Sequence, residues 1–155
     1  TGRAMAAAAH SNVGLMHATM AVFNAWCDRM PLLLIGATGP IDASARRPWI
    51  EWIHTARDQG ALVRDYVKWD DQPASPASAR ESLLRAGWIA QTAPKGPVYI
   101  NLDVGLQEAP LPAPLPPIDA RQELVSMIET QRAYEMNAKA IAATDSMLGY
   151  LNNNV

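Results

Sequence analysis

Hydrophobic and polar positions change rhythm several times along the chain. Ala4–Ala9 is a run of small apolar residues stopped by His10-Ser11-Asn12, and it reads as a short strand. From Val13 to Arg29 the apolar residues adopt helical spacing. Met16, Met20, Phe23 and Cys27 form one stripe, widened by Leu15, Val22 and Trp26. Only His17, Thr19 and Asn24 interrupt that surface, which predicts a helix buried round most of its circumference. Leu32–Ile35 is continuously apolar and closed by Gly36 and Gly39-Pro40, as expected of a strand covered on both faces. Pro48–Val63 is rich in aromatics and reads as partly helical, stopped or bent near Gly60. Tyr66–Trp69 reads as a short strand, and Asp70-Asp71-Gln72-Pro73 as a solvated turn. Ser75 or Ser78 is placed to cap a helix running to about Thr92, with Leu83, Leu84, Trp88 and Ile89 inward. Pro97–Leu102 is a further strand. Strands alternating with helices predict an α/β fold, here a partial parallel-sheet, three-layer domain over residues 1–108.

The pattern then breaks. Ala109–Pro117 reads APLPAPLPP, and residues 109–119 form a proline-rich linker of polyproline type. All five tryptophans and all twelve prolines lie before residue 118. Residues 120–155 read as one long C-terminal α-helix. Leu124, Met127, Gln131, Tyr134, Ala138, Ile141, Asp145 and Leu148 follow three-and-four spacing, a coiled-coil seam with polar interruptions at Gln131 and Asp145. Such a seam is not buried by its own helix and calls for a partner helix.

Composition narrows the classes. The chain has 155 residues, is 49% hydrophobic and 18% charged, and carries a net charge of −2. This excludes wholesale disorder and gives no basic surface for nucleic acid. The single cysteine, Cys27, excludes an internal disulfide and a cysteine-clustered zinc site, and its place on an apolar stripe suggests a core thiol. No apolar run approaches a membrane span, and no secretory leader opens the chain, so a cytoplasmic location is expected. Thr1 reads as the start of a partial or processed chain, and the Ala4–Ala9 and Leu32–Ile35 strands as open edges.

Candidate chemistry is sparse. Ser11-Asn12-Val13-Gly14 joins a strand to a helix, where opening amides can receive an anion or polar ring and Gly14 permits close backbone approach. An ordinary capped helix start accounts for the same residues. His10 and His17 flank this turn without a third metal ligand, and His54 sits among polar and aromatic groups. No phosphate loop, nucleophile elbow, metalloprotease motif or dinucleotide fingerprint occurs. No catalytic residue and no metal ligand is assigned.

Three stretches, TGRAMAAAAHSNVGLMHATMAVFNAWCDRMPLLLIGATGP, RPWIEWIHTARDQGALVRDYVKWDD and TAPKGPVYINLD, resemble the pyrimidine-binding domain of thiamine-diphosphate-dependent enzymes of the acetolactate synthase type. The resemblance implies thiamine diphosphate with Mg2+ as cofactor. It places Ser11, Asn12, Val13 and Gly14 beside the aminopyrimidine, with His17 where many relatives carry asparagine. It also implies that the following helix packs against another subunit, so a homo-oligomer or further enzyme domains are the expected partners. The family's catalytic glutamate belongs before the position of Thr1, and its diphosphate motif to a separate domain. An incomplete site is therefore expected. Residues 121–155 instead resemble the C-terminal helix of bacterial flagellar rod proteins, through Met127–Lys139 above all. This second resemblance implies axial flagellar helices as partners and a basal-body location. Together the two suggest a chimera.

Overall fold

A computed structural model describes residues 3–110; the chain divides into two units, Thr1–Leu115 and Pro116–Val155, and every described residue belongs to the first. Most of the linker, the C-terminal helix and its seam (Leu124, Met127, Gln131, Tyr134, Ala138, Ile141, Asp145, Leu148) lie outside the described residues.

The described part is a parallel sheet with helices on both faces. Its strands are β1 (Met5–Ala9), β2 (Leu32–Thr38), β3 (Asp70–Asp71) and β4 (Val98–Asp103), in the spatial order β1-β2-β4-β3. The longer helices are α1 (Ser11–Cys27) and α3 (Pro76–Gln91); α2 (Ile50–Ile53) and α4 (Val104–Glu108) are short. The three-layer α/β fold read from the sequence is the fold found.

Strand alternation sends neighbouring side chains to opposite faces and so builds two cores. Leu34 and Tyr99 pack with Leu15 and Val22 of α1 and with Val63 and Val67. Val98 and Ile100 pack with Ala86 and Ala90 of α3, joined by Leu33 and Leu83. Each fully buried leucine, isoleucine or valine contributes about 2 kcal/mol. The helix α3 starts at Ser75, whose hydroxyl accepts from the Ser78 amide at 3.2 Å while Ser78 Oγ accepts from the Ser75 amide at 3.0 Å, with Pro76 in the first turn. This reciprocal cap contributes about 1 kcal/mol.

Several expectations are corrected. In α1 the buried residues are Ser11, Leu15 and Val22, whereas Met16, Met20, Phe23 and Trp26 are exposed. The helix rests on its sheet by a narrow face, and the broad stripe points away. Cys27, on that stripe, is an exposed thiol and not a core residue. In α3 small residues face inward (Ser82, Ala86, Ala90), which lets the helix sit close to β4; Leu84 and Trp88 are displaced outward. The edge strand is Asp70–Asp71, not Tyr66–Trp69, although the Lys68 amide bonds Pro97 O and the Tyr99 amide bonds Trp69 O. The paired aspartates are thus anchored: Asp70 meets Arg64 at 2.8 Å, and Asp71 accepts from the Ser82 hydroxyl. Pro48–Val63, by contrast, is partly helical as read, with α2 and a 3-10 turn at Gly60–Leu62. Of the two expected edges only β1 is one; β2 lies between β1 and β4.

Gly36 of β2 leaves no room for a side chain. A Cβ there would fall inside the hydroxyl and ring of Tyr99, which lies across it fully buried. Gly36→Ala is expected to lower stability by about 2 kcal/mol in urea unfolding. An unchanged midpoint would mean that Tyr99 can move aside.

Candidate functional site

The parallel register aligns Ala9, Gly36 and Asn101 in one row across β1, β2 and β4. Beyond this row the strands reach their carboxyl ends, where open α/β sheets place their ligands. The β1 strand leaves through His10 directly into α1, and Ser11 takes a left-handed φ of 53° to make the corner. Gly14 sits tightly beneath it, since a Cβ would lie 3.2 Å from the Ala9 carbonyl carbon. No side chain caps α1, and no acid stands in its first turn. The opening amides and the positive end of the helix dipole are therefore left to a ligand or to water.

Two polar atoms at this corner carry the argument for a site. Ser11 is only 3% exposed, and its Oγ has no hydrogen-bond partner. The Asn12 Oδ1 is likewise enclosed and unpartnered, while its Nδ2 donates to Ile53 O at 3.2 Å. Leaving a buried polar atom unsatisfied costs about 1–3 kcal/mol, so such atoms mark places where something else is received.

The structure brings Ser11, Asn12, Val13 and Gly14 together in the first turn of α1. His17 stands in the following turn and is exposed. His10 and His54 approach to 5.8 Å between ring centroids, and His54 Nδ1 donates to Ile50 O at 2.7 Å, so its ring is fixed by its own loop. In that loop Glu51 is buried yet committed. The Arg47 amide at 2.5 Å and guanidinium at 2.7 Å hold its carboxyl below the ordinary range. Among the described residues no group of three or more His, Cys, Asp or Glu gathers as a metal site, and no helix is long and apolar enough to cross a membrane.

A second polar group was not anticipated from the sequence. Gln59 Nε2 donates to Tyr99 OH at 2.8 Å and Ala37 O at 3.0 Å, and lies 3.2 Å from Asn101 Oδ1. All three side chains are buried, and Gln59 Oε1, Asn101 Nδ2 and the nearby Thr38 Oγ1 lack partners. Asn101 within the apolar strand PVYINL was the available signal. Its face becomes evident only once the register sets it opposite Gly36.

The comparisons reach two different kinds of protein. Among solved structures, the chain resembles benzoylformate decarboxylase from Polynucleobacter necessarius with a TM-score of 0.64 and 21% identity, covering 76% of this chain and 22% of that one. It also resembles the thiamine diphosphate-dependent 4-hydroxybenzoylformate decarboxylase of Rhodococcus jostii RHA1, with a TM-score of 0.58 and 20% identity over 83% of this chain and 26% of that one. These likenesses establish a shared fold. Residues 117–154 match the family described as flagellar basal body rod FlgEFG protein C-terminal. The flagellar basal-body rod protein FlgG of Borreliella burgdorferi is 53% identical over 36 residues, and that of Buchnera aphidicola subsp. Acyrthosiphon pisum 51% over 35 residues. Each aligns with 23% of this chain, which spans only 14% of the relative. The chain thus shares the fold of part of these decarboxylases and, over residues 117–154, matches a flagellar rod C-terminal segment, in line with the two resemblances.

Burial raises the Tyr99 phenol to about 12, against the weaker opposing effect of the Gln59 hydrogen bond. A raised folded value means that folding favours the protonated phenol. Its contribution is complete below about pH 10, the unfolded value, and is lost as pH climbs toward the folded one. Wild-type stability is therefore expected to fall across that alkaline window, and the Tyr99→Phe chain should lose the part of the fall that belongs to this residue. Denaturation series at rising pH check this, and identical alkaline limbs would remove Tyr99 as the cause.

Proposed function

We propose that residues 3–110 act as the pyrimidine-side lobe of a thiamine diphosphate site of acetolactate synthase or 2-oxo acid decarboxylase ancestry. In this reading the lobe is inactive without complementary enzyme domains. The carrying observation is the pair of enclosed, unpartnered atoms, Ser11 Oγ and Asn12 Oδ1, beside uncapped helix amides at the carboxyl end of a parallel sheet. A polar heteroaromatic ring would satisfy both atoms. Gly14 and Val13 would give it backbone and apolar contact, and His17 would be an outer neighbour. When bound, the cofactor supplies its own carbanion-stabilising chemistry. The described residues offer the ring a seat but bring no donor set to a diphosphate-bound Mg2+, and their buried glutamate is occupied by Arg47. The outward pair Met16 and Met20 supports further domains or a second copy as cover. A cytoplasmic location goes with this reading.

Titration calorimetry with thiamine diphosphate and Mg2+ is expected to show weak binding and no turnover by this chain alone, with Ser11→Ala weakening it further. Micromolar affinity or decarboxylation by the isolated chain would overturn the incomplete-site reading.

A second reading is favoured by the match over residues 117–154: the C-terminal segment is a structural element that pairs with axial helices of the flagellar rod, at the basal body. Its seam residues, including Leu124 and Ile141, would then drive association. Leu124→Asp with Ile141→Asp is expected to reduce the mass of any assembly seen by sedimentation, while an unchanged mass would count against this reading.

A further inference from the structure

At the other end of α1, about 25 Å from Ser11 along the helix axis, lies a cleft with different chemistry. It encloses about 320 Å3 and is lined by Trp26, Cys27, Arg29, Lys68, Pro94 and Lys95. The lining contains three cations, an indole and a thiol, and no carboxylate; Asp28 is the nearest acid in sequence. Arg29 and Lys95 form no ion pair with another described residue. Like charges facing one cleft repel and concentrate a positive potential there.

The backbone at Arg29 and the ammonium of Lys68 are fixed by hydrogen bonds. The helix ends with the Met30 amide bonded to Ala25 O at 2.8 Å and the Arg29 amide to Trp26 O at 3.2 Å, leaving Arg29 at a left-handed φ of 52°. Glycine is the usual residue at that position, so a β-carbon there is retained against a conformational cost. Gly96 lies close to two of the lining side chains: a Cβ on it would lie 3.0 Å from Lys68 Cγ and 3.9 Å from Trp26 Cε3. The Lys68 ammonium donates to Ile89 O at 2.5 Å and Thr92 O at 2.6 Å at the end of α3, which leaves one of its three protons unassigned. Burial lowers its proton affinity, as expected of a cation with too little solvent or counter-charge.

We propose that this cleft binds a small anion carrying a flat unsaturated ring, with its oxyanion held by Arg29 and Lys95 and its ring against Trp26. The chemistry is that of an aryl phosphate: a guanidinium matches a phosphate edge with two parallel N–H donors, and the indole offers a stacking face. This site is separate from the turn at Ser11 and does not depend on a thiamine reading.

Cys27 is the only cysteine and it is exposed, so its alkylation by iodoacetamide reports on the cleft from within. In the full chain, phenyl phosphate is expected to slow that alkylation severalfold, inorganic phosphate less, and benzyl alcohol hardly at all. Arg29→Gly should keep or raise the melting temperature, because it removes the strained conformation, yet weaken protection by about tenfold in ligand concentration. Lys95→Glu should weaken it as well. Absence of protection by millimolar phenyl phosphate overturns the proposal. So does equal protection by benzyl alcohol or inorganic phosphate, or protection that survives intact in both variants.

Discussion

Tyr99 lying across Gly36 is the contact on which the described lobe depends. The glycine removes the side chain that would otherwise stand on the central strand, and the phenol ring fills that space. The ring joins the apolar layer formed by Leu15, Val22 and Leu34, while its hydroxyl reaches Gln59 and Asn101 beyond that layer. One residue thereby closes the hydrophobic core and opens a polar one. The carboxyl end of the sheet remains polar because a phenol there needs a partner in a place without water. Both halves of that contact are single-atom demands: a methyl group at position 36 obstructs it, and the loss of one oxygen at 99 leaves Gln59 with a donor to place elsewhere.

Among the described residues, the three left-handed ones other than glycine, Ser11, Arg29 and Trp49, fall at the ends of helices. Each costs on the order of 1 kcal/mol relative to an ordinary conformation. At Ser11 the unusual angle turns the chain at once from β1 into α1, and at Arg29 it ends the same helix. The helix is therefore held in fixed register at both ends, one presenting unpartnered hydroxyl and amide oxygens and the other a cationic rim. Such strain persists where surrounding packing determines the backbone more strongly than local preference does. The packing of Leu15 and Val22 supplies that determination for α1.

Much of this was legible in the sequence, and the failures share one cause. Strand runs, Ser75 as a cap and the turn Ser11–Gly14 are local signals, written within a few residues of where they act. Which face of a helix is buried is not local. Met16, Met20 and Phe23 make a better apolar stripe than Leu15 and Val22, yet it is the latter pair that meets Leu34 and Tyr99 of the sheet. The same reasoning applies to α3, where Ala86 and Ala90 take the inner face because small side chains let helix and strand approach. Asp70-Asp71 looked like a free turn because neither Arg64 nor Ser82 is adjacent in sequence. The Gln59–Tyr99–Asn101 group was invisible for a similar reason: the other two members are 40 and 42 residues from Gln59, and only the fold sets that loop residue against β4.

The two resemblances place different physical demands on the chain. A ring-binding turn requires a defined corner, and in the described lobe Ser11 turns the chain with Gly14 tight against Ala9. A rod-type helix requires the opposite, since its seam gains stability only when another helix covers it. The first demand is met within the fold and the second lies in association. On the two proposed readings, substitutions in the corner would act on ligand affinity, and substitutions in the seam on assembly.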